Sequence, residues 1–180
     1  NVGIGATPEA YHSDYKAIDI NNSASVMGYT GNNGAWLMEN LYYGTDGNWK
    51  HKNSDFSAAV EMYDGVFNFY NTASGTADAT ATLQNRLKID SAGNIMIGAA
   101  DVHPWNDSSG NGGIVIRQDG VLSAARLNSE PLLLNRIGTD GELVKLNKAG
   151  ATIGHIGAFA GYTYFGNATT NTNGIIFTPA

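Results

Sequence analysis

Sixteen carboxylates and four histidines are the residues of this 180-residue chain able to move protons or hold a metal ion. Hydrolysis of a glycosidic bond needs two acids at a defined separation, and a histidine metal site needs ligands at short spacings such as H-x-x-x-H. His12, His51, His103 and His155 lie far apart in the chain and form no such pair. Asp46, Asp64, Asp119 and Asp140 each precede a glycine, and Asp90 opens the run Asp90-Ser-Ala-Gly-Asn94. Tight turns already account for acids in such places. Asp90 and Asp119 also suggest oxygen-ligand calcium loops, but their spacing fits neither an EF-hand nor a nonapeptide repeat. No G-x-S-x-G elbow, phosphate loop or dinucleotide fingerprint occurs among the 23 glycines. With no cysteine, disulfides, thiolate metal sites and cysteine catalysis are excluded together. The expectation is a protein without catalysis, cofactor or metal, although sixteen acids always permit a pair somewhere in space.

Recognition falls instead to the aromatic residues. Trp36, Tyr42, Tyr43, Trp49, Tyr63, Phe67, Phe69 and Tyr70 crowd into the first half of the chain. Neighbours such as Tyr42 and Tyr43 face opposite sides of a strand, so one of them points outward. A ring exposed among Asn, Asp and Thr stacks against the apolar face of a sugar; the bland alternative is that the rings fill a small core. Trp105, in the Gly/Asn/Ser-rich stretch 102–113, is the best single candidate for an exposed contact, and packing against a neighbouring subunit explains it equally well. The candidate ligand-binding residues are therefore Trp105, Trp36, Tyr42, Tyr43 and Trp49.

The elements that must position these rings read as strands almost everywhere. Runs rich in Val, Ile, Thr, Tyr and Phe are bounded by Gly, Asn and Asp. Strands are predicted at 17–20, 35–43, 49–52, 58–63, 66–70, 80–89 and 95–97, then at 113–116, 122–127, 132–137, 143–146, 152–156, 162–165 and 174–177. Asp64-Gly65, Asp119-Gly120, Asp46-Gly47, Asp140-Gly141 and Asn173-Gly174 supply the positive φ that hairpins require. Thr7-Pro8-Glu9 is the lone helix-start signal and predicts one short turn or nothing. The chain thus reads as all-β, built of short antiparallel strands. Consecutive Leu132-Leu133-Leu134 predicts a strand buried on both faces.

Two phrases recur at nearly one offset. Asn1-Val-Gly-Ile-Gly-Ala6 returns as Asn94-Ile-Met-Ile-Gly-Ala99, and Gly44-Thr-Asp-Gly47 returns as Gly138-Thr-Asp-Gly141. Tandem reuse predicts two glycine-turn modules, 1–93 and 94–180. Charged residues are only 14% of the chain against roughly 25% in an average soluble protein, and 42% are hydrophobic. That balance describes a folded protein with a neutral, hydrogen-bonding surface. The net charge of −6 and scattered basic residues argue against nucleic acid, and no apolar run approaches the roughly 18 residues of a membrane span. The chain starts without Met and stops just past an expected strand, as a piece of a longer polypeptide would. Asn21-Asn-Ser23, Asn106-Asp-Ser108 and Asn167-Ala-Thr169 match the glycosylation acceptor pattern, as an Asn-rich chain does by chance.

Arg86-Leu-Lys-Ile-Asp-Ser-Ala-Gly-Asn-Ile-Met-Ile-Gly98 resembles the R-x-x-I-D-S-x-G-N-V-G-I-G signature of modular tail-fibre-like proteins of marine bacteriophages, and the opening Asn-Val-Gly-Ile-Gly matches the end of that signature. The stretch 134–157 resembles a second module of those proteins, in which G-T-D-G-D-x-V-x-F leads into G-x-x-V-G-S-I-G. Gly174-Ile-Ile-Phe177 resembles the strand that follows. Met96 stands where glycine is typical and His155 where serine is typical. The resemblance touches roughly half the chain. It implies an elongated, intertwined homotrimer on the virion tail, joined to other fibre segments and used for host attachment, with host surface polysaccharide as a partner. Short sheets with exposed edges and no disulfides favour an oligomer independently, while a closed monomeric barrel or sandwich would cover the same edges. A depolymerising tailspike and a bacterial cell-surface adhesin or filament subunit built from similar modules are the alternatives.

Overall fold

The computed structural model describes residues 1–31, 33–106, 108, 112–167 and 174–176. The protein is all-β, and apart from one 3-10 turn at Pro104–Asn106 no helix occurs among the described residues. The chain forms two compact units, Asn1–Pro131 and Leu132–Ala180. The division lies elsewhere than the expected 93/94 boundary, through which a single sheet runs without a break.

The first unit contains β1 (Val2–Ile4), β2 (Tyr15–Ile20), β3 (Ala24–Tyr29), β4 (Gly34–Glu39), β5 (Leu41–Tyr43), β6 (Trp49–His51), β7 (Ala58–Tyr63), β8 (Val66–Asn71), β9 (Gln84–Ile89), β10 (Ile95–Ile97), β11 (Gly113–Ile116) and β12 (Leu122–Ala125). Ten of these form one sheet in the order β1-β2-β3-β4-β7-β8-β9-β10-β11-β12, and β5 and β6 form a separate ribbon. β1 runs parallel to β2; the other pairings are antiparallel.

Turn chemistry sets this meander. Asp64 and Gly65 both take positive φ (48° and 78°) and join Tyr63 to its cross-strand partner Val66, a two-residue hairpin. Asp90 Oδ1 accepts hydrogen bonds from the amides of Ala92 (3.0 Å) and Asn94 (2.9 Å), closing the β9–β10 turn. The Gly120 amide donates to the Arg117 carbonyl at 3.0 Å to close β11–β12.

Two sequence expectations fail in this unit for identifiable reasons. The run 35–43 is not one strand, because Asn40 takes φ 52° and turns the chain out of the sheet into the ribbon. The Asn40 side chain is buried, donating to the carbonyls of Asn53 (3.2 Å) and Phe56 (2.8 Å) and accepting from the Asn53 amide (2.7 Å). β3 was not expected at all. Its inward residues include Ser25, and it is entered through Asn21 at φ 49°, a turn that carries no glycine.

The sheet is closed on one face only. Ala17, Met27, Trp36, Met38 and Ala59 point to that face and pack with Leu41 and Tyr42 of the ribbon and with Tyr11 and Ala81. Burying side chains of this size stabilises the unit by about 1.5–3 kcal/mol each for the largest.

In the second unit β13 (Gly141–Lys148), β14 (Ala151–Phe159), β15 (Tyr162–Asn167) and β16 (Gly174–Ile176) form an antiparallel meander. Ala149-Gly150 and Ala160-Gly161 make its tight turns with both residues at positive φ. The expected strand 132–137 does not form, and Leu133 and Ile137 are 78% and 90% exposed rather than buried. The two Gly-Thr-Asp-Gly phrases are not equivalent. Gly44–Gly47 closes the β5–β6 hairpin, with the Gly47 amide donating to the Gly44 carbonyl, whereas Gly138–Gly141 only leads into β13. The other repeated phrase keeps only its ending, since β1 and β10 are both followed by a glycine of positive φ, Gly5 (73°) and Gly98 (63°), while β1 pairs in parallel and β10 antiparallel. Phe177 and Asn173 lie outside the described residues, as do parts of the 106–108 and 167–169 acceptor patterns.

Candidate functional site

Three features of the first unit bear on function. The first is a row of rings along the margin of the core. β2 and β3 pair Tyr15 with Tyr29, and their ring centroids are 4.9 Å apart. Tyr43, at the end of β5, stands 5.1 Å from Tyr15 and 5.0 Å from Trp49, its cross-strand partner in β6. Trp49 lies 4.5 Å from Trp36, and Trp36 stacks on Tyr70 at 5.7 Å with planes 19° apart. The row therefore runs Tyr29, Tyr15, Tyr43, Trp49, Trp36, Tyr70. All of these but Trp36 are half-buried. Such ring pairs add about 0.5–1.5 kcal/mol each beyond burial, and the row remains partly accessible.

Polar groups flank it. Glu61 Oε2 accepts from the Tyr70 hydroxyl (2.8 Å) and from Asn68 Nδ2 (3.0 Å) at one end. His12 packs its ring 5.7 Å from Tyr43, in the middle of the row. Burial, reinforced by the hydrogen bond to Glu61, pushes the Tyr70 hydroxyl well above its usual range. Burial likewise raises Tyr15, and the neighbouring Tyr43 and Tyr29 add to it. The Tyr15 and Tyr70 phenols are thus neutral hydrogen-bonding groups across the physiological range.

The expected ligand residues divide on this geometry. Trp36 and Tyr42 lie inside the core at 7% and 6% exposure, where neither offers a ring face to a ligand. The Tyr42 hydroxyl instead donates to Asp78 Oδ1 at 2.7 Å. Tyr43 and Trp49 sit together in the row. Trp105 is 46% exposed in its 3-10 turn, with its ring 5.0 Å from His103 and outside the row. Tyr15, Tyr29 and Tyr70 were missed as members because the row is assembled across strands, one of which carries no clear strand signal.

The second feature is a buried polar cluster. Asp19 Oδ1 accepts from Lys52 Nζ (2.6 Å), the Tyr11 hydroxyl (2.6 Å) and Ser25 Oγ (2.8 Å), while Oδ2 accepts from the Glu9 amide (2.7 Å). Burial alone raises this carboxyl; the hydrogen bonds from Lys52, Tyr11, Glu9 and Ser25 outweigh it and hold Asp19 below the usual carboxylate range. Burial, with the Asp19 hydrogen bond second, pushes Tyr11 far up. Lysine, tyrosine, serine and aspartate in mutual contact resemble a proton-transfer set, but Asp19 and Ser25 are sealed at 1% and 0% exposure. The cluster ties the segment before β2 and the end of β6 to the sheet. His51, next to Lys52, is also buried, with Nδ1 2.8 Å from Ser57 Oγ. Among the described residues no three His, Asp or Glu side chains gather as a metal cage.

The third feature is the open face of the sheet. Val2, Ile18, Val26, Leu37 and Val60 pair in succession across β1, β2, β3, β4 and β7. The same line continues through Phe69, Leu87, Ile97 and Ile114 to Ala124 in β12. A second line beside it joins Met62, Phe67, Ile89, Ile95, Ile116 and Leu122. Most of these side chains are about half exposed, from Phe69 at 37% to Leu122 at 68%.

Among the described residues no helix is long and apolar enough to cross a membrane. No family model, curated protein or solved structure matches the chain.

Proposed function

We propose that this chain is a structural and adhesive segment of a phage tail fibre, acting in host attachment on the virion tail. The observation that supports it best is the row of rings from Tyr29 to Tyr70, all but Trp36 half-buried, carried by the sheet and the β5–β6 ribbon. A line of ring edges and faces bordered by Glu61, Asn68 and His12 suits a linear sugar chain, whose apolar faces stack while its hydroxyls find donors and acceptors. Partners are further copies of the chain in an intertwined homotrimer built of glycine-turn modules, neighbouring fibre segments, and host surface polysaccharide.

The reading is of binding without turnover. The best-formed cluster of reactive side chains, around Asp19, is closed to solvent and internally satisfied. Incubating the protein with host envelope polysaccharide, and following retention and polysaccharide length together, tests both halves. Retention without shortening is expected. Release of short oligosaccharides establishes a tailspike instead, and absence of retention removes the adhesive half of the reading.

A further inference from the structure

We infer that the open apolar face of the ten-stranded sheet is the surface on which copies of this chain associate, three around a common axis. The inference rests on the self-association half of the reading above and assigns that association to a place.

The unit cannot cover this face itself. Its ribbon and the segments carrying Tyr11 and Ala81 are already used on the opposite face. What is left is an unbroken ladder through all ten strands, in which the line from Val2 to Ala124 contains no charged residue. Contiguous exposed apolar surface beyond a few hundred Å² marks an interaction site. Ten strands about 4.8 Å apart, of six residues in β2, β3, β4, β7, β8 and β9 and of three or four in the rest, give a face roughly 43 Å long and roughly 800 Å² in area, apolar along its middle and bordered by Lys16 and Glu39. One partner's share of a standard stable interface is about 800 Å².

The chemistry of the strip selects its occupant. A partner must present an equally long surface, apolar along its middle line and ridged at strand spacing, and the same face of a second copy is such a surface. Lipid does not meet the requirement, because the sheet is open at β1 and β12 and an unpaired edge is not tolerated in hydrocarbon. Threefold packing fits the strand length. The six-residue strands, about 20 Å long and set as the sides of a triangle, hold their part of each sheet about 6 Å from the axis, a gap filled by one layer of Val, Ile, Leu and Phe side chains.

The experiment measures the mass of the full chain in solution by sedimentation, with Leu37→Glu and Ile114→Glu placed in the ladder and Leu133→Glu, 78% exposed and outside the ten strands, as the apolar control. The wild type and Leu133→Glu are expected at three times the 19.0 kDa chain mass, and the two ladder variants at least tenfold weaker in association. The near-ultraviolet circular dichroism of the Trp36–Trp49 pair reports whether each variant is folded. Because a charged variant can fail to fold, Leu37→Cys in this otherwise cysteine-free chain supplies a second reading. Its thiol is expected to react with maleimide at least tenfold more slowly than that of Leu133→Cys. A trimer unaffected by both ladder charges, or fast labelling at position 37 within a trimer, overturns the inference and leaves the homotrimer standing. A dimer through this face overturns the threefold arrangement, and a folded wild-type monomer at micromolar concentration overturns homotrimer and interface together. Polysaccharide retention is read separately and is not decided by any of these outcomes.

Discussion

Lys52 and Asp19 form an ion pair of 2.6 Å in which the two side chains are only 2% and 1% exposed. The carboxylate recovers the cost of leaving water through three further hydrogen bonds, so the pair holds only while all partners are present. Removing one member strands the other charge in the interior. Asp19→Asn and Lys52→Met are each expected to destabilise the first unit by about 3–5 kcal/mol. The double variant is expected to recover part of that loss. Urea unfolding followed by tryptophan fluorescence measures both; equal stability of single variants and wild type contradicts the burial of the pair.

The same pair sets a response to acid. Asp19 has its folded pKa held below the ordinary 3.8, so its contribution is complete above that value and is lost as pH falls through the lower folded one. Glu9 acts with the opposite sign. Burial raises it from 4.5 against the opposing pull of Lys52, with Asp19 and Asp78 adding to the rise, so its contribution is present below 4.5 and lost as pH rises through its folded value. The wild type is expected to lose urea resistance below about pH 4 with a steeper slope than the Asp19→Asn/Lys52→Met double variant. Parallel slopes refute the assignment to Asp19.

Asn40 is expected to be the most sensitive turn residue. Its left-handed φ of 52° disfavours a Cβ-bearing residue without its side-chain bonds, and its amide group ties three backbone groups of the 53–56 segment. Asn40→Ala loses both contributions, at a cost of about 3 kcal/mol, whereas Asn40→Gly keeps the backbone conformation and costs about 1 kcal/mol less. Urea midpoints of the two variants check the order. Equal losses show that the hydrogen bonds alone matter.

The same residue marks where the sequence was and was not legible. Strand positions bounded by Asp-Gly, such as β7 and β8, followed from local turn chemistry, because positive φ at Asp64 and Gly65 is a nearest-neighbour property. The break at Asn40 depends on carbonyls more than ten residues away, which no local pattern reveals. Orientation was harder still. In β2 the alternation Ala17-Ile18-Asp19-Ile20 puts aspartate inside and both isoleucines outside, the reverse of the usual rule. A period of two identifies the faces of a strand but not which face is closed; that is decided by Lys52, far along the chain. Leu132-Leu133-Leu134 misled for a related reason: apolar runs record a need for cover without saying that a strand supplies it. The ring row was half visible, since Tyr43 and Trp49 are close in sequence, whereas Tyr15, Tyr29 and Tyr70 join only through the sheet.

Attachment through the ring row makes the last expectation. Tyr43 and Trp49 are half-buried neighbours at 5.0 Å on opposite strands of the ribbon, so each offers part of its surface outward. Tyr43→Ala and Trp49→Ala are each expected to reduce polysaccharide retention at least tenfold for the assembled protein, while Trp105→Ala leaves it unchanged. A single shallow site binds weakly, so the assembled form matters. Linked sites raise avidity by about 10²–10⁴ without a new contact, provided they engage together. The Leu37→Glu variant, if dissociated but folded, is therefore expected to lose most retention although every ring is intact. Both ring variants must be checked for folding, because Trp49 also packs 4.5 Å from the buried Trp36. Tyr43→Phe supplies the milder case, keeping the ring and removing the hydroxyl, and should retain most binding if stacking dominates. Retention lost in Trp105→Ala but preserved in Tyr43→Ala moves the site to the 3-10 turn at Pro104–Asn106 and away from the row.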